Sequence, residues 1–206
     1  MKAGDPLLRV EDLTKAFGGV RAVDHLSLAV PRGELRCVIG PNGAGKSTLF
    51  ALLSGIHRPD AGRIEFKGEV ITHLSPFKRV RKGLCQKFQT PRVYRGLTVG
   101  QNLLIARGRR HGTNGRLAFA LSRLSLADRT ETLAGELPHS EQQWLEICLA
   151  LATEPDLLLL DEPTAGMTPQ ETSLTADFVL ELNRQGVTVL VVEHDMAFVR
   201  QIAHRV

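Results

Sequence analysis

Nowhere in the 206 residues is there a run of the roughly 18 unbroken apolar residues that crosses a bilayer. The start, Met1-Lys2-Ala3-Gly4-Asp5-Pro6, also lacks the apolar stretch of a secretion signal, so a cytosolic protein is expected. Cysteine is scarce: Cys37, Cys85 and Cys148 are odd in number, far apart and without a CxxC pair. That excludes a disulfide framework and a zinc site, and their surroundings read as buried apolar thiols. Internal repeats, low-complexity tracts and sustained heptads are missing too. Aromatic residues make up 5% of the chain, hydrophobic residues 43% and charged residues 23%, a balance that suits one α/β-sized domain with a real core.

A further absence is local. Between Glu69 and Asp128 there is no acidic residue, while twelve of the 26 Lys and Arg lie there: Lys78, Arg79, Arg81, Lys82, Lys87, Arg92, Arg95, Arg107, Arg109, Arg110, Arg116 and Arg123. The other 14 basic residues face all 22 acidic ones, so the formal charge of +4 combines a body of −8 with a middle of +12. Such asymmetry implies an anionic partner. Nucleic acid, anionic lipid and phosphate-bearing ligands are all open on charge alone.

What is present is a strand, a glycine-rich turn and a helix in succession. Leu35 to Ile39 reads as a short strand, Gly40-Pro41-Asn42-Gly43-Ala44-Gly45-Lys46-Ser47-Thr48 as the turn, and Leu49 to Leu53 as helix. The turn fits G-x-x-x-x-G-K-[ST] at every position. Its glycines let backbone N–H groups turn inward around an anion, and the helix aims its positive end at the same point. Lys46 is placed to reach β- and γ-phosphates, and the Ser47 hydroxyl to ligate the accompanying Mg²⁺.

Two further apolar runs, Leu157 to Leu160 and Val187 to Val192, suit a parallel sheet covered on both faces. The first delivers Asp161 and Glu162 to the crevice where such sheets bind ligands. Asp161 is expected to hold Mg²⁺ through water, and Glu162 to polarise the attacking water. The second run precedes His194, whose imidazole can hydrogen-bond a γ-phosphate; alone it would read as a structural strand-end histidine. Alternation of apolar and polar residues from Leu7 to Val30, and again at Arg63-Ile64-Glu65-Phe66, predicts antiparallel strands at the sheet's edge. From about Val80 to Leu151 helices and loops are expected, with a flexible connection at Gly108 to Gly115.

Taken together these motifs resemble the nucleotide-binding subunits of ABC transporters over almost the whole chain. The resemblance implies an α/β P-loop NTPase core with a parallel sheet, an antiparallel β edge and an inserted helical subdomain. The whole is one domain, 1–206, with 1–79 and 152–206 as core and about 80–151 as Q-loop and helical subdomain. It implies ATP and Mg²⁺ as cofactors and ATP hydrolysis coupled to transport. By the same resemblance Lys87-Phe88-Gln89 is the Q-loop, with Gln89 touching Mg²⁺. Phe17 is the aromatic that stacks on adenine, its alternative being a core phenylalanine. Ala165-Gly166-Met167-Thr168 is the D-loop and His194 the switch histidine.

The small motifs Lys87-Phe88-Gln89-Thr90-Pro91, Leu97 to Leu103, Gln143-Trp144-Leu145-Glu146-Ile147, Ala165-Gly166-Met167-Thr168 and Val192-Glu193-His194-Asp195-Met196 look like the branched-chain amino acid importer group, particularly its urea-transport branch. The implied solute is urea, an amide or a branched-chain amino acid. The implied partners are transmembrane permease subunits and a second ATPase subunit, with peripheral contact at the cytoplasmic membrane face and no nucleic acid. The basic middle then meets lipid headgroups, through a cluster such as Lys78, Arg79, Arg81 and Lys82. A soluble DNA-acting ATPase of this kind would carry long coiled coils, and a ribosomal one would join two such domains. A regulatory module with weak or no turnover is the other alternative.

Two departures stand out. The family's signature, Leu-Ser-Gly-Gly-Gln, is here Leu137-Pro138-His139-Ser140-Glu141. Pro138 removes a hydroxyl and a backbone N–H, Ser140 adds a side chain where glycine allows close approach, and Glu141 brings negative charge near a phosphate. Such a loop is expected to clamp ATP poorly, so pairing with a different ATPase chain, whose signature completes the site on Lys46 and Glu162, is expected. The second is length: family members continue with further strands and a terminal helix, so the end at Arg205-Val206 reads as truncated, leaving a sheet edge uncovered.

Overall fold

Four successive leucines leave a strand no polar face, and the segment Leu157–Asp161 is accordingly buried at every residue. The computed structural model describes residues 5–89, 92–108 and 115–203. Among these the strands are β1 (Leu8–Phe17), β2 (Val20–Val30), β3 (Leu35–Val38), β4 (Ala61–Phe66), β5 (Glu69–Val70), β6 (Leu84–Lys87), β7 (Leu157–Asp161) and β8 (Thr188–Val192). The α-helices are α1 (Lys46–Ser54), α2 (Pro76–Lys82), α3 (Val99–Arg107), α4 (Gly115–Arg123), α5 (His139–Leu151), α6 (Pro169–Arg184) and α7 (Met196–Ile202). Short 3₁₀ turns at Ala127–Arg129 and Ala134–Glu136 lead into α5.

The strands sort into two sheets. One is parallel, in the order β3-β8-β7-β6, and the other antiparallel, in the order β2-β1-β4-β5. The antiparallel strands are where the alternation in the sequence places them. They form a sheet of their own, with Leu8 opposite Val30 on one side and Phe66 on the other. Leu84–Lys87, inside the span expected to be helical, pairs in parallel with β7. Its polar half, Gln86-Lys87, hides it from an apolar-run reading. The Gly108 to Gly115 connection lies mostly outside the described residues, as do Thr90, Pro91, Arg109, Arg110, Arg205 and Val206.

Side chains of the parallel sheet alternate between two apolar layers. Leu157, Leu159, Leu190 and Val192 pack with Leu49, Phe50 and Leu53 of α1 and with Leu8, Val10 and Ile64 of the antiparallel sheet. Leu158, Leu160, Val189 and Val191 pack the opposite way, with Leu145, Ile147 and Cys148 of α5 and Ala176, Phe178 and Val179 of α6. That second layer continues without a break to Val99, Leu103 and Ala120 of α3 and α4. The three cysteines are buried and in no disulfide, as their apolar surroundings predict.

At the amino ends of the parallel strands, Asp156 joins the sheets. It accepts from Arg32 Nη1 at 2.7 Å and pairs with Lys67, which also donates to the Lys82 carbonyl at 2.8 Å. Burial pushes the Asp156 carboxyl up, but hydrogen bonds from Lys67 and Arg32 outweigh it and hold the group below the usual carboxylate range.

The basic middle is only partly a surface feature. Arg79 is 1% exposed, and its guanidinium donates to the carbonyls of Leu52, Leu53, Thr72 and Leu74 at 2.6 to 3.1 Å. It thus satisfies the last-turn carbonyls of α1, where a cation also meets the negative helix end. Burial lowers its pKa to about 10. Lys87 is wholly buried and Lys82 pairs with Glu69. The expected cluster of four lipid-facing cations therefore loses Arg79, which the fold spends inside. Arg79→Met is expected to lower the unfolding free energy by about 3 kcal/mol, because four carbonyls lose their donor. Lys78→Met should change it by less than about 0.5 kcal/mol in the same denaturant titration.

Candidate functional site

All four parallel strands point their carboxyl ends the same way, and each end carries part of one site. β3 runs into Gly40 to Thr48, β6 into Phe88-Gln89, β7 into Asp161-Glu162 and β8 into Glu193-His194. Open α/β sheets place ligand sites at this end because the loops there are free to diverge.

The glycine-rich turn is built on left-handed backbone. Gly43 and Gly45 stand at φ 81° and 82°, and Gly45 caps α1. A Cβ at Gly45 would lie 1.8 Å from the Ala22 carbonyl oxygen, so this position admits no side chain. The Lys46 ammonium donates to the carbonyls of Gly40 and Pro41, each at 2.8 Å, which holds its charge at the mouth of the loop. A cleft is lined there by Asn42, Gly43, Ala44, Gly45, Lys46, Ser47 and Thr48, together with Ala22, Glu162 and His194. N–H groups at a helix start, one ammonium and one hydroxyl are the donors that a polyphosphate requires.

Across the cleft Glu162 sits between two partners. Its Oε2 accepts from Gln89 Nε2 at 2.6 Å, and its Oε1 lies 2.9 Å from His194 Nε2, which donates to it. Glu162 adopts φ 44°, an uncommon conformation for a branched-off acid and one that turns its side chain out of the strand line toward the cleft. Asp161, by contrast, is buried, and its Oδ1 has no hydrogen-bond partner. Burial, and then the neighbouring charge of Glu162, push its carboxyl upward. An orphaned, desolvated carboxylate oxygen within reach of the Lys46 charge, and the Ser47 hydroxyl in the cleft, are oxygen donors of the kind a hard divalent cation takes.

Several contributors carry no motif letter. Ala22 lines the cleft, and its backbone carbonyl is what bars a side chain at Gly45. Glu193 is buried, and its Oε1 accepts from the Thr164 N–H and hydroxyl at 3.1 and 2.5 Å. Its Oε2 accepts from the amides of His194 and Asp195 at 2.7 and 3.1 Å, so one carboxylate fixes both the D-loop approach and the switch histidine. Lys87 donates to the carbonyls of Asp161 and Glu162 at 3.3 and 3.4 Å. Burial lowers its pKa to about 8, while Glu146, Asp161, Glu193 and Glu162 oppose the shift. Glu146, also buried, is raised to about 7 by desolvation. An acid directly before His194 was the available signal for Glu193; nothing in the sequence marks Lys87 as interior.

Other expected residues lie elsewhere. Phe17 is 45% exposed at the end of β1, edge-on to His57 with ring centroids 5.3 Å apart, and does not line the cleft. The signature residues do not line it either. Leu137 is buried, Pro138 precedes the first turn of α5 without a side-chain cap, and His139, Ser140 and Glu141 form that turn. Ser140 donates to Glu171 Oε1 at 2.5 Å, and Glu141 stands 3.9 Å from Arg129. The acid of the altered signature thus has a cation of its own to face.

Comparison with known proteins agrees with this geometry. The model of the ABC transporter family matches residues 23–165. The chain is 36% identical to the high-affinity branched-chain amino acid transport ATP-binding protein BraF of Pseudomonas aeruginosa, covering 98% of this chain and 87% of that one. It is 34% identical to the corresponding protein LivG of Escherichia coli K12, with the same coverage. Among solved structures, the ADP conformation of an ATP-binding cassette of an ABC transporter superimposes with a TM-score of 0.84 at 33% identity, covering 97% of this chain and 85% of that one.

Gly45→Ala should destabilise the fold by more than about 3 kcal/mol, since its Cβ meets backbone that must shift. Gly43→Ala, whose Cβ meets nothing within 4 Å, should cost about 1 kcal/mol of left-handed strain alone. Denaturant unfolding of the two variants side by side checks both.

Proposed function

This chain belongs to the ABC transporter family, and from that premise we propose that it hydrolyses ATP to energise a membrane importer of small polar solutes. The observation that carries the reading is Glu162, held between Gln89 and His194 and facing a phosphate-binding loop. A module that only bound nucleotide would have no use for a carboxylate so placed.

The loop amides and Lys46 hold the β- and γ-phosphates. Ser47, Asp161 and Gln89 are the residues that would hold Mg²⁺, whose chemistry is to neutralise charge on the phosphate oxygens. Glu162 accepts a proton from the attacking water while Gln89 keeps its carboxylate aimed, and His194, once its Nε2–H turns from Glu162, donates toward the transferring phosphate. Phe17, exposed though outside the cleft's lining, is the ring assigned to stack on adenine.

The solute we infer is a branched-chain amino acid, urea or an amide. The names of BraF and LivG favour the first, and the motifs at 97–103, 143–147 and 192–196 favour the second. Permease contact is assigned to the helical region, 80–151, where Tyr94, Leu104 and Ile105 are exposed apolar groups next to the Q-loop. No helix among the described residues is long and apolar enough to cross a membrane. Attachment is therefore proposed to be peripheral, on the cytoplasmic face, through permease subunits.

The altered signature supports pairing with a second, different ATPase subunit. Pro138 has no N–H to give, and the Ser140 hydroxyl is already committed to Glu171. The same loss supports one other reading, a regulatory cassette with weak turnover.

Glu162→Gln should leave the nucleotide dissociation constant within about twofold and lower turnover by about two orders of magnitude or more; unchanged turnover removes Glu162 from this role. The chain purified alone should hydrolyse ATP at least about tenfold more slowly than with the ATPase subunit recovered beside it from membranes, the loss expected for one missing phosphate hydrogen bond. Equal rates exclude the mixed pairing.

A further inference from the structure

The face of α5 presented by His139, Gln143 and Glu146, at spacings of four and three, lies along the Q-loop. Glu146 Oε1 accepts from the backbone N–H of both Phe88 and Arg92, each at 3.3 Å. One carboxylate oxygen therefore holds two amides that flank Gln89 in the sequence. One turn earlier, Gln143 Nε2 donates to the Gln89 carbonyl at 3.3 Å, and the same amide lies 3.3 Å from His139 Nε2. The His139 ring in turn stands against the D-loop, close enough that a Cβ on Gly166 would come within 3.3 Å of it.

We propose that Gln143 and Glu146 are positioning residues that staple the Q-loop to α5, so that Gln89 presents its amide to Glu162. The proposal deepens the ATPase reading and rests on it for its kinetic consequence. Gln89 is exposed and lies two residues past the last paired residue of β6, so its aim must come from elsewhere. Glu146 is 5% exposed and Gln143 1%, which shields both sets of bonds from water. Neither residue touches the cleft, and their effect on chemistry passes through the 2.6 Å bond from Gln89 to Glu162. His139, where the family has glycine, extends the staple to the D-loop, so the first turn of α5 leans on its own subunit.

Because the site's charge is crowded, the groups facing Glu146 matter. Lys87 from β6 and Arg92 from beyond the Q-loop both favour its ionised form. Burial opposes them. Glutamine at 146 keeps an oxygen for the two amides and gives up the charge, which makes it the conservative variant.

Residue-resolved amide hydrogen exchange on the nucleotide-free chain tests the staple without reference to turnover. In Glu146→Ala the amides of Phe88 and Arg92 should exchange about tenfold faster, with those of Leu157–Asp161 unchanged. Unchanged exchange at both amides overturns the proposal, and so does loss of protection throughout the parallel sheet, which would place Glu146 in the fold alone. In ATPase assays Glu146→Ala and Gln143→Ala should each lower kcat about tenfold with KM within about twofold, and Glu146→Gln should recover at least about half of kcat. Wild-type kcat in Glu146→Ala alongside faster exchange overturns the positioning role, while leaving the ATPase reading intact. No turnover by the wild-type chain assayed together with its partner ATPase subunit, with its exchange pattern as expected, overturns the ATPase reading instead.

Discussion

Everything in this molecule answers to a single electrostatic problem, two adjacent carboxylates at the end of a strand that is otherwise leucine. Water would stabilise Asp161 and Glu162, but the strand that carries them is closed on both faces. The compensation comes from four directions. Lys87 approaches from β6 beneath, Lys46 attracts Asp161 from the loop beyond β3, His194 meets Glu162 from β8, and Gln89 meets it from the Q-loop. Among the described residues Asp161, Glu141 and Glu146 each keep one buried carboxylate oxygen without a partner, and Asp161 is the one whose balance the proposed Mg²⁺ would complete.

The parallel sheet makes such compensation possible because its register brings the four strand ends level. Lys87 lies opposite Leu160, and Asp161 opposite Val192, which places Gln89, Glu162 and His194 just beyond the last paired residues of three neighbouring strands. Turn chemistry then separates their roles. The left-handed backbone at Glu162 swings it toward the cleft, whereas Asp161 keeps the strand's conformation and stays inside. Adjacent acids thus differ in exposure and hydrogen bonding through one dihedral angle.

Much of this was legible in residues 35–54, 157–162 and 187–194, where motif and hydrophobic pattern point to the same element. The phosphate loop, the acid pair and the histidine come together as spacing and run length predict, because short buried strands with polar ends leave few alternatives. Reading by apolar runs failed where a polar side chain does interior work. Lys87 and Arg79 look like members of a basic surface stretch, yet one supports the acid pair and the other closes the end of α1. Glu146 and Gln143 show in the sequence only as parts of a family-like motif, since a hydrogen bond to a distant backbone leaves no periodic trace. The antiparallel strands were legible as strands, but which sheet they join depends on pairing partners that alternation does not encode.

Asp156 adds a mechanical asymmetry. It ties the segment after β2, the residue after β4 and the start of β7 into one knot, and Thr188 at the start of β8 donates its N–H to the Asp156 carbonyl. The amino-terminal rim of the sheet is sewn shut, while the opposite rim consists of loops. The closed rim is thus the fixed frame on which the four loops of the opposite rim are mounted, so their spacing is set at the end of the sheet farthest from the candidate site.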